Sequence, residues 1–374
     1  MSLRILIVPD KFKGTLTAQA AARFIAQGWR EARPGDALTL LPMSDGGDGF
    51  GEVMRRLLGA RARLTRTINA AHQPIETKWW GDVASQTAII ESAQVIGLAL
   101  LPPGKFHPFD LDTCGLGAVL VATWEREVEH VLVGIGGSAT NDGGFGVARA
   151  MGWSFLDAAG RALERWTDLT ALAHVRPPPV ERWPRDFVVA VDVQNPLLGP
   201  TGASRIYGPQ KGLRPEDCPL AEACLGRLTE IVRQDLQLDI AAEPGAGAAG
   251  GLGFGLRSFF GARLESGFHL FARYAKLETH IRASDLVITG EGTIDASTLM
   301  GKGVGEIARL CQTHRVPCLG LAGMLNESAL ANGSAPVFTR LHGIAPELTT
   351  PEKAKAGAAF WLMQLATHAA NDWR

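Results

Sequence analysis

Short apolar runs that end in a glycine-rich turn and lead into helix-forming residues occur at both ends of this chain. Near the N-terminus, residues 4–8 read as a buried strand, residues 17–32 as a helix and residues 37–43 as a second strand. The same alternation returns at residue 286 and continues to a last predicted helix at residues 352–369. Alternating strands and helices of this kind predict a parallel sheet with crossover helices.

The middle of the chain has a different order of predicted elements. Three strand-like runs follow one another closely between residues 65 and 91, which is typical of hairpins or a meander. We therefore predict that residues 1–64 and 282–374 form one discontinuous parallel-sheet domain and that residues 65–281 are inserted as a second, mixed α/β domain. The 374 residues agree with two domains, at roughly 100–200 residues each.

Composition excludes several classes of protein. The formal net charge of -1 provides no basic field for a nucleic-acid backbone. The five cysteines are scattered without a CxxC pair, which favours a reducing compartment over a disulfide framework or a zinc knuckle. No apolar run approaches ~18 residues and the first residues lack a signal-peptide layout. We expect a cytoplasmic protein with neither a membrane nor a nucleic-acid partner.

Six loops are rich in glycine or carry acidic, amide, hydroxyl or lysine side chains, and most of them come directly after a predicted strand. Glycine lets backbone N–H groups approach an anion closely, and the N-terminus of a following helix adds partial positive charge. In an open parallel sheet such loops lie at the carboxyl ends of the strands, where ligands bind. The loops are residues 9–15, 44–49, 134–144, 192–197, 244–253 and 289–295, and residues 207–212 place a further lysine on a turn.

The side chains in these loops indicate phosphate chemistry. Lys11 and Lys13 leave the first strand together and suit a carboxylate or phosphate partner. Asp45 and Asp48 stand among three glycines, where carboxylates suit magnesium or substrate hydroxyl groups. Asp192, at the end of an apolar strand, suits a metal ligand or a base acting on a hydroxyl. Turn formation, helix capping and close packing are the structural alternatives for each loop.

Motifs of several other enzyme classes are missing from the sequence. It contains no GxxxxGK[ST], no GxSxG and no HExxH. Residues 134–139 fit the dinucleotide pattern only loosely, and the GxGxxG at residues 245–250 follows a poor strand. We therefore predict a phosphate-handling enzyme that lacks a P-loop.

Seven motifs, in their order along the chain, resemble the type 1 glycerate kinase family of bacteria. They are PDKFKGTL, MSDGGDG, GIGGSATNDGG, DVQNPLLG, YGPQKG, PGAGAAGGLG and ITGEGTID, between Ile5 and about Gly323. The resemblance implies ATP-dependent phosphorylation of D-glycerate, in this family usually to 2-phosphoglycerate. It also implies two α/β domains, one of them Rossmann-like and discontinuous, with the active site in the cleft between them.

The sequence departs from the family pattern at the edges of its motifs. The family usually has Ala where Ser44 stands, Thr where Phe50 stands and Gln where Ser297 stands. Its GKAP-like run corresponds to residues 301–304, which include Lys302. The Asp, Glu and Gly framework of the motifs is retained.

With this resemblance, roles can be assigned to individual residues. Asp192, Asp45 and Lys11 are the expected catalytic residues, Asp192 as the base, and Asp45 and Asp192 are the expected Mg²⁺ ligands. The expected glycerate-binding residues are Asp10, Lys13, Ser44, Asp48, Asn195 and Lys211. The expected ATP-binding residues are Gly136, Gly137, Ser138, Asn141, Asp142, Gly245, Gly247, Gly250, Glu291 and Asp295.

Three alternative functions remain at this stage. The chain could be a kinase of another small hydroxy acid, a non-catalytic nucleotide or metabolite sensor on the same scaffold, or an NAD-dependent dehydrogenase. Retention of the acidic loops favours catalysis, and the dehydrogenase rests only on weak GxG matches. The sequence leaves open the phosphorylated hydroxyl and whether the protein is a monomer or a homodimer.

Overall fold

The computed structural model describes residues 2–124, 128–179, 183–299, 303–326 and 337–373. The chain divides into two compact units. Unit 1 comprises Met1–Asp45 and Phe268–Arg374, and unit 2 comprises Gly46–Gly267. The unit boundaries lie at 45/46 and 267/268, whereas the sequence-based boundaries were 64/65 and 281/282.

The strands and helices are short to medium in length. The strands are β1 (Arg4–Ile7), β2 (Ala37–Leu40), β3 (Arg61–Ile68), β4 (Pro74–Asp82), β5 (Thr87–Glu91), β6 (His130–Gly134), β7 (Ser154–Asp157), β8 (Leu172–Arg176), β9 (Asp186–Val191), β10 (Arg263–Ser266), β11 (Leu286–Ile294), β12 (Cys318–Leu325) and β13 (Arg340–Gly343). The α-helices are α1 (Ala18–Ala32), α2 (Phe50–Leu58), α3 (Ala93–Ile96), α4 (Gly115–Trp124), α5 (Phe145–Ala150), α6 (Ala203–Lys211), α7 (Cys218–Leu236), α8 (Ala248–Phe260), α9 (Gly267–Tyr274), α10 (Leu277–Arg282), α11 (Gly303–His314), α12 (Pro351–Ala356) and α13 (Ala358–Asp372).

Unit 1 is built on a parallel five-stranded sheet with the order β13-β12-β11-β1-β2. The predicted parallel sheet from both chain ends is therefore confirmed. Helix α1 packs against α13, and their apolar faces bury residues such as Trp29 and Leu362 over the sheet. Burial of one large side chain of this kind stabilises the fold by roughly 1.5–3 kcal/mol.

Two details of unit 1 differ from the predicted elements. The helix predicted at residues 352–369 is two helices, α12 and α13, because Gly357 leaves the helical conformation (φ -122°, ψ 37°). Strand β11 continues into residues 289–294, which the sequence predicted as part of a loop, because its pairing with β12 extends to the Ile294–Leu325 register. Glu291 is consequently a strand residue.

Unit 2 contains a mixed six-stranded sheet with the order β10-β9-β6-β5-β4-β3. Strands β5, β6, β9 and β10 are parallel, and β3 and β4 are antiparallel additions at one edge. Helix α2 packs against β4 and β5, which places residues 46–64 in this unit. The core of unit 2 includes aromatic residues in mutual contact, among them Phe145, Phe155 and Phe259.

Strands β7 and β8 form a separate antiparallel pair. Within the described residues, no helix combines the length and apolarity that crossing a membrane requires.

Candidate active site

In unit 1, acidic side chains gather beyond the carboxyl ends of neighbouring parallel strands. Asp10 follows β1 and its backbone N–H donates to the carbonyl oxygen of Gly290 on β11 (2.9 Å). Burial, and next the negative charge of Asp45, raise the pKa of Asp10 well above its usual value. Lys11 opposes this rise, and Glu291 adds to it. This end of the sheet therefore concentrates negative charge beside a lysine.

The other predicted residues of unit 1 lie in the same strands or in the segments that follow them. Ser44 is buried and Lys13 is exposed. Oε1 of Glu291 accepts a hydrogen bond from the hydroxyl of Thr298 (2.8 Å), and the backbone N–H of Asp295 donates to the same hydroxyl (3.2 Å). Lys302 lies outside the described residues.

In unit 2, two carboxylates lie against consecutive glycines of the loop after β6. A Cβ atom at Gly136 would stand 3.3 Å from Oδ2 of Asp192 and 2.6 Å from Cα of Gly47. At Gly137 a Cβ atom would overlap Oδ1 of Asp48. Both positions require glycine for this close approach. Asp48, Asp192 and the glycine loop are thus brought together in one place.

Lys211 is a buried cation beside these loops. Its Nζ donates to the carbonyl oxygen of Thr140 (2.7 Å). Burial lowers the pKa of Lys211 to about 8, and the charges of Asp142 and Asp192 oppose this shift. The lysine that sequence reasoning assigned to an ordinary turn is therefore the last residue of α6, inserted among polar groups of unit 2.

One face of α6 carries three polar side chains at positions i, i+3 and i+7, a spacing that places them together on a helix. Ser204 accepts a hydrogen bond from Nδ2 of Asn141 (2.9 Å). The hydroxyl of Tyr207 donates to Oδ1 of Asn195 (2.6 Å). Lys211 completes the face. Sequence reasoning did not select Ser204 or Tyr207, although their spacing ahead of Lys211 was a usable signal.

Asn195 is fixed from two sides. Its Oδ1 accepts from Tyr207, and its Nδ2 donates to the carbonyl oxygen of Thr201 (2.8 Å). Burial, and next the charge of Asp192, raise the pKa of Tyr207. The tyrosine hydroxyl therefore stays protonated and remains a donor to Asn195 near the Asp192 carboxylate.

Asp142 is wholly buried and its carboxylate accepts several hydrogen bonds from within unit 2. Oδ2 accepts from the backbone N–H (2.9 Å) and the hydroxyl (2.7 Å) of Thr113 and from the N–H of Gly146 (2.9 Å). Burial, and next the charge of Asp112, raise the pKa of Asp142 to about 6. These contacts tie the start of α5 to the Thr113 turn, and nearby Ser138 bonds Thr140 within the same loop (2.9 Å).

The glycine-rich segment at residues 245–251 packs its backbone against two other loops. The N–H of Gly247 donates to the carbonyl oxygen of Asn195 (3.0 Å), and that of Gly143 donates to Gly250 (3.0 Å). Gly250 has a left-handed backbone (φ 69°), and a Cβ there would overlap the carbonyl oxygen of Thr140. Glycine at these positions thus allows three loops of unit 2 to approach closely.

The predicted site residues fall into two groups by unit. Unit 1 holds Asp10, Lys11, Lys13, Ser44, Asp45, Glu291 and Asp295. Unit 2 holds Asp48, Gly136, Gly137, Ser138, Asn141, Asp142, Asp192, Asn195, Lys211, Gly245, Gly247 and Gly250. The two expected Mg²⁺ ligands, Asp45 and Asp192, belong to different units.

Residues 5–374 match the sequence model of the glycerate kinase family. The chain belongs to the glycerate kinase family. Glycerate 2-kinase of Escherichia coli K12 is 35% identical over 328 residues, which cover 87% of this chain and 86% of that protein. Glycerate kinase of Halalkalibacterium halodurans is 36% identical over 345 residues, which cover 91% and 88% of the two chains.

The fold agrees with that of a solved structure. A crystal structure of a protein assigned as glycerate kinase 2 from Salmonella typhimurium LT2 superposes with a TM-score of 0.82 at 32% identity, covering 100% of this chain and 98% of that chain. The predicted membership of the glycerate kinase family and the predicted α/β fold class are both confirmed.

Proposed function

We propose that this member of the glycerate kinase family transfers the γ-phosphoryl group of ATP to the C2 hydroxyl of D-glycerate. Similarity to a chain named glycerate 2-kinase, 35% identical over 328 residues, supports the choice of the C2 position. The main structural support for phosphoryl transfer is the arrangement around Asp192 in unit 2. There an exposed carboxylate lies beside a glycine loop and a buried lysine.

Each of these groups suits one requirement of phosphoryl transfer, which depends on positioning and charge neutralisation more than on covalent help from the protein. Asp192 would accept the proton of the attacking hydroxyl of glycerate. The oxygen of that hydroxyl would bond to the γ-phosphorus while the bond between the γ-phosphorus and the β–γ bridging oxygen breaks. Lys211 would offset the negative charge that accumulates near Asp192. Backbone N–H groups of Gly136 and Gly137 would bind phosphate oxygens.

For unit 1, we propose that Lys11 and Lys13 bind anionic groups of the substrates and that Asp45 contributes a carboxylate to Mg²⁺. Carboxylates of Asp45 and Asp192 are oxygen ligands of the kind that this ion prefers. Mg²⁺, when bound, would neutralise charge on the β- and γ-phosphate oxygens.

The deciding experiment is ¹H-coupled ³¹P NMR of the product formed from D-glycerate and MgATP. A phosphate ester at C2 couples to one neighbouring proton, and an ester at C3 couples to two, so one spectrum identifies both the acceptor and the position. We expect 2-phosphoglycerate and ADP. Absence of any phosphoglycerate would contradict the proposed activity, and 3-phosphoglycerate would contradict only the position.

A screen of ADP release with other small hydroxy acids tests the substrate. We expect the highest kcat/KM with D-glycerate. A higher value with another acid would identify the chain as a kinase of that acid, and ligand-induced stabilisation without ADP release would identify a sensor.

A further inference from the structure

Two histidines and a glutamate of unit 1 converge near the C-terminal helix. His342 lies on β13, Glu347 follows in the turn after that strand, and His368 lies on α13. One ligand atom from each residue can be chosen so that the three atoms all lie within 4.8 Å of one another. From this convergence we propose that His342, Glu347 and His368 form a binding site for a divalent transition metal, with zinc as the best-suited ion.

The chemistry of the three side chains favours zinc. Two imidazoles and one carboxylate are ligands that zinc combines in proteins, whereas magnesium and calcium prefer oxygen ligands alone. Three protein ligands leave the fourth tetrahedral position to a water molecule.

The separations suit tetrahedral coordination. Nδ1 of His342 and Oε2 of Glu347 are 3.2 Å apart, and two ligands that each stand at the usual zinc distance in a tetrahedron are about 3.3 Å apart. The rings of His342 and His368 are nearly perpendicular (89°), with centroids 5.6 Å apart. The imidazole of His368 is 48% exposed, so a rotation of its side chain can bring its nitrogen to bonding distance.

The surrounding contacts hold the ligands in place. Oε1 of Glu347 accepts from the backbone N–H of Gly343 (2.6 Å), which leaves Oε2 directed at His342. Oδ2 of Asp372 lies 3.3 Å from Nε2 of His368, one helical turn away. A carboxylate that accepts from the second nitrogen of a metal-bound histidine orients the ring and increases its basicity.

Two carboxylates near the site favour a cation, and the nearby guanidinium of Arg340 is engaged by other groups. Glu347 and Asp372 are two carboxylates, and Arg340 directs its guanidinium to the carbonyl oxygen of Asp372 (2.6 Å) and to the face of Trp373. Among the described residues, Nε2 of His342 is buried without a hydrogen-bond partner, so the ring is fixed on its polar side through Nδ1 alone. A bound ion would cross-link β13 to the C-terminal helix.

The test is zinc binding to the full chain after removal of metals by a chelator, in excess Mg²⁺ to occupy sites made of carboxylates. Equilibrium dialysis with metal analysis should give one more zinc ion per chain for wild type than for His368→Ala or Glu347→Gln. His174→Ala is the matched control, because His174 is also about half exposed and lies 3.5 Å from a carboxylate, that of Asp235. Asp372→Asn should retain the ion with roughly 10–100-fold lower affinity.

A second measurement, of Tm with and without zinc, distinguishes loss of the metal site from a folding defect in a variant. Zinc binds only the folded site, so it should raise the Tm of wild type and His174→Ala by several degrees but not that of His368→Ala. Because His368 is on the surface, its removal leaves the fold intact without metal. Equal zinc stoichiometry and affinity in wild type and His368→Ala, or no binding below millimolar zinc, would overturn the proposal.

Discussion

Asp142 and Asp192 are aspartates of glycine-rich loops in unit 2, but their surroundings give them different chemistry. Asp142 is wholly buried and accepts hydrogen bonds from Thr113, Gly144 and Gly146. Asp192 is exposed and influences the titration of Tyr207 and Lys211. An exposed carboxylate beside a buried lysine suits proton transfer to or from a ligand, whereas the buried one suits loop stabilisation.

Asp192→Asn should lower kcat by about 10²–10⁴-fold, because an amide cannot accept the hydroxyl proton. The measurement is steady-state ADP release with D-glycerate and MgATP, together with circular dichroism to show an unchanged fold. Asp168→Asn, which changes an exposed aspartate of the same unit, is the control and should retain normal turnover. Near-normal kcat in Asp192→Asn would remove the base assignment.

Asp142→Asn should lower the free energy of unfolding by about 1–3 kcal/mol, because an amide N–H₂ would face the donors of Thr113 and Gly146. The pKa of Asp142 is raised from 3.8 to about 6 on folding. Its stabilising effect is therefore complete below pH 4 and is lost as the pH rises through 6. Urea unfolding should show a larger deficit for the variant at pH 5 than at pH 7. An equal or smaller deficit at pH 5 would contradict this assignment.

At the residue scale, the sequence was sufficient to select the loops but not the state of each side chain. Glycine and aspartate after apolar runs identified the segments around Asp48, Gly136 and Asp192, and the structure places the glycine loop against both aspartates within unit 2. The burial of Lys211 depends on where α6 packs, and that packing is a tertiary property with no local signal. The hydrogen bond between Tyr207 and Asn195 likewise depends on where α6 packs.

At the scale of secondary-structure elements, one helix can position several polar side chains together, as α6 does with Ser204, Tyr207 and Lys211. Tyr207→Phe removes the hydroxyl that holds Oδ1 of Asn195. Loss of one such hydrogen bond corresponds to about 1 kcal/mol, so we expect kcat/KM for D-glycerate to fall roughly fivefold to tenfold. Ile206→Ala, on an exposed position of the same helix, should leave kcat/KM unchanged. If both variants behave alike, Tyr207 has no positioning role.

The start of α8 permits a second prediction at this scale. Gly250→Ala places a Cβ against the backbone of Thr140 and 2.6 Å from Cα of Asn141, so the loops must separate. We expect a loss of more than about 3 kcal/mol in unfolding free energy, from strain and overpacking together. Gly261→Ala at the other end of the helix is the matched control, since its φ is similar (66°) but its surroundings are open. Its cost should be only about 1–2 kcal/mol.

If urea unfolding shows the two alanine variants to be equally stable, backbone conformation alone determines the cost and the close packing of the loops contributes nothing.

The strands that could be predicted from the sequence are those with continuous apolar runs. Strand β1 has a continuous buried run and was predicted near its observed position, and the buried runs of β6 and β9 end where the predicted loops at residues 134 and 192 begin. Strand β10 has the sequence RLES with exposed and half-buried residues, and its strand character comes from pairing with β9. The break between α12 and α13 at Gly357 was hidden by helix formers on both sides.

At the scale of the whole molecule, the two units have separate cores. The core of unit 2 is made from residues between Ala70 and Ala262, and that of unit 1 from residues near the two chain ends. A continuous segment with its own core can fold alone. The fragment Gly46–Gly267 should therefore unfold cooperatively in urea, yet form no phosphoglycerate because Lys11, Lys13 and Asp45 are missing. A fragment that shows no cooperative transition would contradict the independence of this core.

The parallel sheet of unit 1 also determines when this protein can finish folding. Strand β1 pairs with β11, and Arg4 and Asp285, which bond across this pair, are 281 positions apart in the chain. At about 5–20 residues per second, a ribosome needs roughly 14–56 seconds to synthesise the chain between them. During that time the apolar residues of β1 and α1 lack their partners from the other end, while unit 2 can already be complete. The N-terminal segment thus keeps these apolar residues without their partners until the C-terminal strands have been synthesised.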